Sequence, residues 1–200
     1  MGKLIQMHRG RDRSNMKNEL LNKIKKSNLN IKNMEEISNV LIEHYRVTSF
    51  PIPIIEIMKD MGFNIYKHEL ENNLSGYIAI NDELKSVIGT SKIVCVNEQD
   101  NVGHQRFTVA HELAHYLFDY KENEPYFNTY KTTENSTNKS EIRANKFAAN
   151  LLMPKNLFID EYNNIKNRDI NMLAYLADRF KVSSKAIEKR MEELKLAYKC

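Results

Sequence analysis

Apolar residues recur at helical spacing over much of this chain, which predicts a fold rich in amphipathic helices. The predicted helices are Met34–Arg46, Arg106–Phe118, Ser140–Met153, Ile170–Phe180 and Ser183–Leu194. The last two form a helix–turn–helix pattern, in which Val182 fills the turn and Ser183 caps the second helix. Residues 163–200 are therefore predicted to be a helical unit that packs on the rest of the chain.

Between the first two of these helices, short segments rich in β-branched and aromatic residues are bounded by turn residues. They predict strands at Phe63–Lys67, Gly76–Ile80 and Lys92–Val96, with Leu84–Ile88 as a possible fourth. Such strands would form a small mixed or antiparallel sheet. Helices combined with a sheet of this kind predict an α+β fold.

A long polar segment, Lys121–Lys139, follows the second helix and shows neither helical nor strand periodicity. It is predicted to be a surface loop, which is either a mobile connection or a flap over a cleft. Its three aromatic residues are the reason to consider a flap, because such residues are unusual in a purely solvated loop, and both alternatives stay open. The lone histidines His68 and His104 are expected to be solvated.

The composition fits a water-soluble domain: of 200 residues, 42% are hydrophobic and 28% are charged. No apolar run is long enough to span a membrane, and the N-terminus lacks the apolar region of a signal peptide. The only cysteines are Cys95 and Cys200, so a structural disulfide is not expected. These features predict a cytoplasmic protein.

The net charge of +4 is unevenly distributed along the chain. Residues 1–32 hold nine lysines and arginines against two acids. This basic segment has no aromatic residue to stack on bases, so residues 1–30 are predicted to be a flexible, solvated arm rather than a nucleic-acid-binding element. Weak periodicity also allows a helix from about Asn15 to Lys26.

The candidate chemistry lies in the helix Arg106–Phe118, whose sequence RFTVAHELAHYLF contains an H-E-x-x-H pattern. His111 and His115 are one helical turn apart, about 6 Å along the axis, so both can reach one Zn²⁺ at about 2.0–2.1 Å. Glu112 is placed to face the open side of that metal as a general base.

A catalytic zinc site needs a third protein ligand and one open position. The helix Ser140–Met153 supplies a candidate ligand in Glu141, although an acid at this position also fits the helix dipole alone. Ala144 and Ala148 lie on the same face and are small enough for the two helices to approach closely. Asn145, one turn after Glu141, is predicted to orient a metal ligand.

The segments RFTVAHELAHY and EIRANKFAANLLMP resemble the ImmA/IrrE family of zinc metallopeptidases. The resemblance extends from about Ile31 to the C-terminus, and Ala114 departs from it because the family usually carries glycine there. It implies a zincin-like peptidase domain over residues 31–162. It also implies that one Zn²⁺ is bound by His111, His115 and Glu141, with Glu112 as the general base.

The family resemblance further implies the substrate, a dedicated helix–turn–helix transcriptional repressor of a mobile element or stress regulon. In peptidases of this build, an edge strand beside the histidine helix aligns an extended peptide. The sequence does not single out that strand. It also leaves Tyr116, Tyr126 and Tyr130 as equal candidates for a hydrogen bond to the oxyanion.

Two other functions stay open at this stage. Lys185, Lys189 and Arg190 on the last helix suggest DNA binding with a structural zinc, although three glutamates on that helix offset their charge. The chain can also be an interaction module that binds the repressor without cutting it. The complete ligand set with its general base favours the enzyme over both alternatives.

Overall fold

The computed structural model describes residues 19–24, 33–71, 73–131 and 137–197. Its helices are α1 Met34–His44, α2 Ile54–Asp60, α3 Leu84–Ile88, α4 Val102–Phe118, α5 Lys139–Leu152, α6 Lys155–Ile165, α7 Met172–Phe180 and α8 Ser184–Glu193. Its strands are β1 Asn64–His68, β2 Leu74–Ile80, β3 Lys92–Asn97 and β4 Tyr126–Lys131. No helix in these ranges is both long and apolar enough to cross a membrane.

The strands form a four-stranded mixed sheet in the order β1-β3-β2-β4. Strand β1 runs parallel to β3, whereas β2 is antiparallel to both β3 and β4. Ile78 at the centre of β2 lies opposite Val94 of β3 and Asn128 of β4. The predicted α+β class and mixed sheet are confirmed, and β4 forms one edge of the sheet.

The fourth strand is not the one predicted. Leu84–Ile88 is the short helix α3, because Asn81 Oδ1 accepts from the Glu83 amide at its start and Gly89 ends it at a φ of 76°. Strand β4 instead lies inside the segment predicted to be a loop. Its alternation places Tyr130 on the buried face, while Phe127 on the opposite face is 66% exposed.

Helix α4 packs across the sheet and carries the largest part of the core. It contacts β2, β3 and β4, and α5 packs along it. Ala144 and Ala148 of α5 are at most 1% exposed, as expected for small residues where two helices approach closely. Helix α1 packs on α5 in turn, so α4 and α5 are held between the sheet and α1.

The C-terminal helix pair joins the same hydrophobic cluster as the sheet and α4. Leu176, Phe180, Ile187 and Met191 are completely buried, and Ser183 caps α8 by accepting from the Ala186 amide. These packing and capping predictions are confirmed.

Arg106 ties this helix pair to the start of α4. Its Nε donates to the carbonyl of Lys181 at 3.2 Å, and its Nη2 donates to the carbonyl of Ile52 at 2.7 Å. Gly103 lies at the same junction, where a Cβ atom would stand 2.9 Å from the Val182 backbone. The C-terminal unit is therefore fixed beside the N-terminal end of α4.

Part of the predicted N-terminal arm is folded. Residues 19–24 are helical, and Leu20 and Ile24 are 2% and 1% exposed within the core. These two side chains are therefore not solvated, and residues 19–24 agree with the helix allowed from Asn15 to Lys26. The rest of the arm and Cys200 lie outside the described residues.

Gly76 is required where β2 passes closest to its neighbours. A Cβ atom there would stand 2.5 Å from the Cys95 carbonyl oxygen and 2.5 Å from Thr108 Cγ2. We expect Gly76→Ala to lower the free energy of unfolding by about 1–3 kcal/mol, as overpacking usually does. Urea unfolding followed by circular dichroism measures this, and an unchanged midpoint would show that β2 moves aside freely.

Candidate metal centre

Helix α4 begins one turn earlier than predicted, because Asn101 caps it by accepting from the His104 amide. His104 therefore lies in its first turn, half-buried, with Nε2 3.1 Å from Ser75 Oγ. The prediction that His104 is solvated is wrong, whereas His68 is exposed as expected. Further along α4, His111 and His115 are 0% and 2% exposed.

The structure brings together the three predicted metal ligands. The two Nε2 atoms of His111 and His115 lie 3.0 Å apart. Glu141, in the first turn of α5, places Oε2 3.2 Å from His111 Nε2 and Oε1 3.2 Å from His115 Nε2. One nitrogen or oxygen atom from each residue thus lies within 4.8 Å of the others, which is compatible with a single bound metal ion.

The outer nitrogens of both imidazoles are hydrogen-bonded to oxygen atoms. His111 Nδ1 donates to Asn145 Oδ1 at 2.9 Å, and His115 Nδ1 donates to Asp119 Oδ2 at 2.7 Å. A neutral imidazole protonated at Nδ1 presents a lone pair at Nε2. Two lone pairs and a carboxylate therefore converge, an arrangement that a cation between them stabilises.

The pKa values of the three predicted ligands are shifted in different directions. Burial lowers the pKa of His111. For His115 burial acts in the same direction, but hydrogen bonds to Asp119 and Glu141 outweigh it and raise the pKa to about 9. Burial would raise the pKa of Glu141, yet the two histidines lower it to about 2. Protonation of His115 and binding of a divalent metal each put positive charge among these atoms. Because the metal requires the deprotonated imidazole nitrogen, the two compete.

Glu112 is completely buried beside the ligands. Neither of its carboxylate oxygens has a hydrogen-bond partner among the described residues. Burial raises the pKa of Glu112 to about 8, and the charge of His115 and the nearby Asn128 amide oppose this shift. A buried carboxylate without a fixed partner is free to exchange a proton with a bound reactant.

Asp119 is the site residue that the sequence prediction missed. Besides His115, it accepts from Ser140 Oγ at 2.7 Å and pairs with Arg143 Nη2. Asn138 caps α5 by accepting from the Ser140 amide, which leaves the serine hydroxyl for Asp119. The i, i+4 spacing of His115 and Asp119 on one helix was the signal for this pair.

We expect Asp119→Asn to weaken metal binding by about 10–100-fold, the usual effect of losing the partner that orients a ligating histidine. Competition with a chromophoric chelator measures the affinity. Asp160→Asn removes an exposed carboxylate from α6 and is the matched control. Equal affinities for Asp119→Asn and wild type would contradict the proposed role of Asp119.

Aromatic residues of β4 line one side of the cluster. The Tyr130 ring lies 4.0 Å from the His111 ring, centroid to centroid, and burial raises the pKa of Tyr130 to about 12. Burial also raises the pKa of Tyr126, with further contributions from Asp119, Glu112 and Glu141. Tyr116 instead accepts from Lys92 Nζ at 3.0 Å and packs against Phe63, so Tyr126 and Tyr130 are the tyrosines beside the site.

The fold belongs to the zincin-like class of metallopeptidase folds. It has an H-E-x-x-H helix, a carboxylate on the following helix and a mixed sheet. The model of a peptidase family, described as the IrrE N-terminal-like domain, matches residues 58–192, and the chain belongs to this family. The predicted resemblance to the ImmA/IrrE family is confirmed. A search among curated proteins gives no significant match.

A solved structure with a similar fold is that of a Mycobacterium tuberculosis transcriptional regulator. It is 14% identical in sequence, with a TM-score of 0.54, and the similarity covers 90% of this chain and 51% of that chain. At this identity the likeness shows the fold alone. This chain spans about half the length of the regulator.

Proposed function

We propose that this protein is a zinc-dependent endopeptidase that cuts one specific protein, a transcriptional repressor. The observation that supports this best is the buried carboxylate of Glu112, which has no hydrogen-bond partner in the part of the chain that the structure describes and lies beside three converging candidate metal ligands. A purely structural zinc site is closed by four protein ligands and has no use for such a carboxylate. Two histidines and one glutamate are the ligand set of several catalytic zinc sites.

In this proposal His111, His115 and Glu141 hold the zinc. When bound, the metal lowers the pKa of water and polarises the scissile carbonyl. Glu112, in the ionised form that the charge of a bound zinc ion would favour, accepts a proton from the attacking water at a carboxylate oxygen and delivers it to the leaving amine. Tyr126 and Tyr130 are the two candidates for donating a hydrogen bond to the oxyanion. Asn145 and Asp119 hold the imidazole rings in the orientation that directs Nε2 to the metal.

Strand β4 is the candidate for aligning the substrate. It is an edge strand paired only with β2 among the described strands, and it carries Tyr130 against His111. An extended peptide that added to this edge would lie alongside the ligand cluster. Part of the segment predicted to be a surface loop thus forms a strand beside the site.

DNA binding receives less support than peptide hydrolysis. Arg190 was one of three basic residues that suggested it, but its side chain is 2% exposed. Its Nε donates to the Met153 carbonyl at 3.1 Å and its Nη1 to Glu193 at 2.7 Å. Arg190 therefore cannot reach a base edge without leaving the core.

The proposal is tested by incubating the purified chain and zinc with the repressor encoded nearest its gene. Defined fragments on a gel, absent with Glu112→Gln, are expected, and mass spectrometry then locates the cut. If the repressor stays intact but co-elutes with the chain on a sizing column, the non-cutting interaction module replaces the peptidase as the proposed function.

A further inference from the structure

A cavity of about 390 Å³ lies between α4, α5 and the C-terminal helix pair. This volume is in the range of ligand pockets, about 300–1,000 Å³. Phe107, Ala149 and Met153 give it an apolar lining, and α8 forms its opposite wall. The turn between α7 and α8 closes one end at Val182.

The cavity lies beside the candidate metal centre. Tyr130 and Asn145 both line it. The Tyr130 ring lies 4.0 Å from the His111 ring, centroid to centroid, and Asn145 Oδ1 accepts a 2.9 Å hydrogen bond from His111 Nδ1. A substrate held beside His111 therefore has this cavity as a neighbouring space for a side chain.

The charged residues that line the cavity are predominantly basic. The lining contains one carboxylate, that of Glu193, and four cationic side chains, those of Lys146, Lys185, Lys189 and Arg190. The net charge of these five side chains is +3. Glu193 is already engaged by Arg190 Nη1 at 2.7 Å and by Lys146 Nζ at 3.7 Å. An anionic group in the cavity would meet an excess of positive charge.

Arg190 adds an unsatisfied buried donor to this wall. It is 2% exposed, and its Nη2 has no hydrogen-bond partner among the described residues. A buried guanidinium with an unmatched N–H group is costly. Nη2 is itself shielded from solvent, so Arg190, as a residue of the cavity lining, contributes positive charge to this wall.

We infer that this cavity is a specificity subsite that binds an acidic side chain, aspartate or glutamate, of the protein substrate. This inference rests on the proposed peptidase function, because that function makes the occupant a peptide. The concave shape and apolar lining suit a side chain, whereas a phosphate backbone is usually contacted by exposed residues. The C-terminal helix pair thereby selects the substrate.

The subsite is tested by binding, without any need for cleavage. The full-length Glu112→Gln protein is immobilised and incubated with a library of random decapeptides, and the retained peptides are sequenced. Peptides with Asp or Glu at one position are expected to be retained about tenfold over Asn or Gln, as a charge-assisted hydrogen bond predicts. Adding Lys189→Glu should abolish this preference.

Lys166→Glu is the matched control, because it makes the same charge change on an exposed residue outside the cavity. It should leave the acidic preference intact. Equal retention of acidic and amide peptides, or a preference that survives Lys189→Glu, would overturn the inference. The inference would also be overturned if the protein retained a DNA duplex instead of acidic peptides and if Lys189→Glu abolished the retention of DNA. That result would assign the cavity to phosphate binding.

The two proposals fail in different ways. If acidic peptides are retained through Lys189 but wild type cuts no repressor, the subsite stands and the peptidase function falls. If wild type cuts its repressor while acidic peptides are not preferred, the peptidase function stands and the subsite falls.

Discussion

Glu112→Gln should lower the rate of repressor cleavage by about 10²–10⁴-fold, the contribution usual for a general base. The amide keeps the shape of the side chain but cannot accept the proton of the attacking water. Glu112 ligates no metal in this proposal, so the variant should bind as much zinc as wild type. Cleavage rates from gel densitometry and zinc content from elemental analysis give the two measurements.

The fold should survive this substitution. Both Glu112 oxygens lack partners and burial raises the pKa of the carboxyl to about 8, so a neutral amide removes no hydrogen bond present among the described residues. The melting temperature should therefore not fall. Glu122→Gln, at an exposed position, is the control for the charge change alone. A Glu112→Gln protein that cuts as fast as wild type would refute the assignment.

His111→Ala should reduce the zinc content from about one ion per chain to a small fraction, because a three-ligand site cannot hold the metal tightly with two. Glu141→Gln should do the same while keeping the volume of the side chain. Both losses are measured by elemental analysis after dialysis against a buffer with a weak chelator. Cleavage should fall in parallel with the metal.

The matched control is His104→Ala, which removes a half-buried histidine from the first turn of the same helix. It should retain zinc, because His104 contacts Ser75 rather than the ligand cluster. If His111→Ala and His104→Ala retain the same amount of zinc, the metal is bound somewhere other than at the predicted ligands.

The sequence was sufficient to predict that His111, His115 and Glu141 come together, because the geometry of this cluster is mostly local. His111 and His115 are one helical turn apart on α4, so they lie on the same face. Glu141 and Asn145 are likewise one turn apart on α5. The small residues Ala144 and Ala148, buried at the junction, then allow the two helices to meet. The fold class and the C-terminal helix pair were predictable for the same reason, since periodicity marks the faces that must be buried.

Features that depend on distant parts of the chain were not predictable in this way. Strand β4 lies in a polar segment without strand periodicity, and it is stabilised by pairing with β2 and by Tyr130 packing on His111. Arg190 looked like a surface cation, but its side chain is buried, and its Nε and Nη1 donate to Met153 and Glu193. In both cases a tertiary contact overrides the local pattern.

The central claim, that this chain hydrolyses peptides with one metal held by two histidines and a glutamate, is tested most directly by zinc titration. The metal is removed with a chelator, zinc is added back in steps, and repressor cleavage and bound zinc are followed together. Cleavage is expected to be absent without metal and to reach its maximum at about one Zn²⁺ per chain. A metal-free chain that cuts the repressor as fast as the zinc-loaded chain would contradict the account.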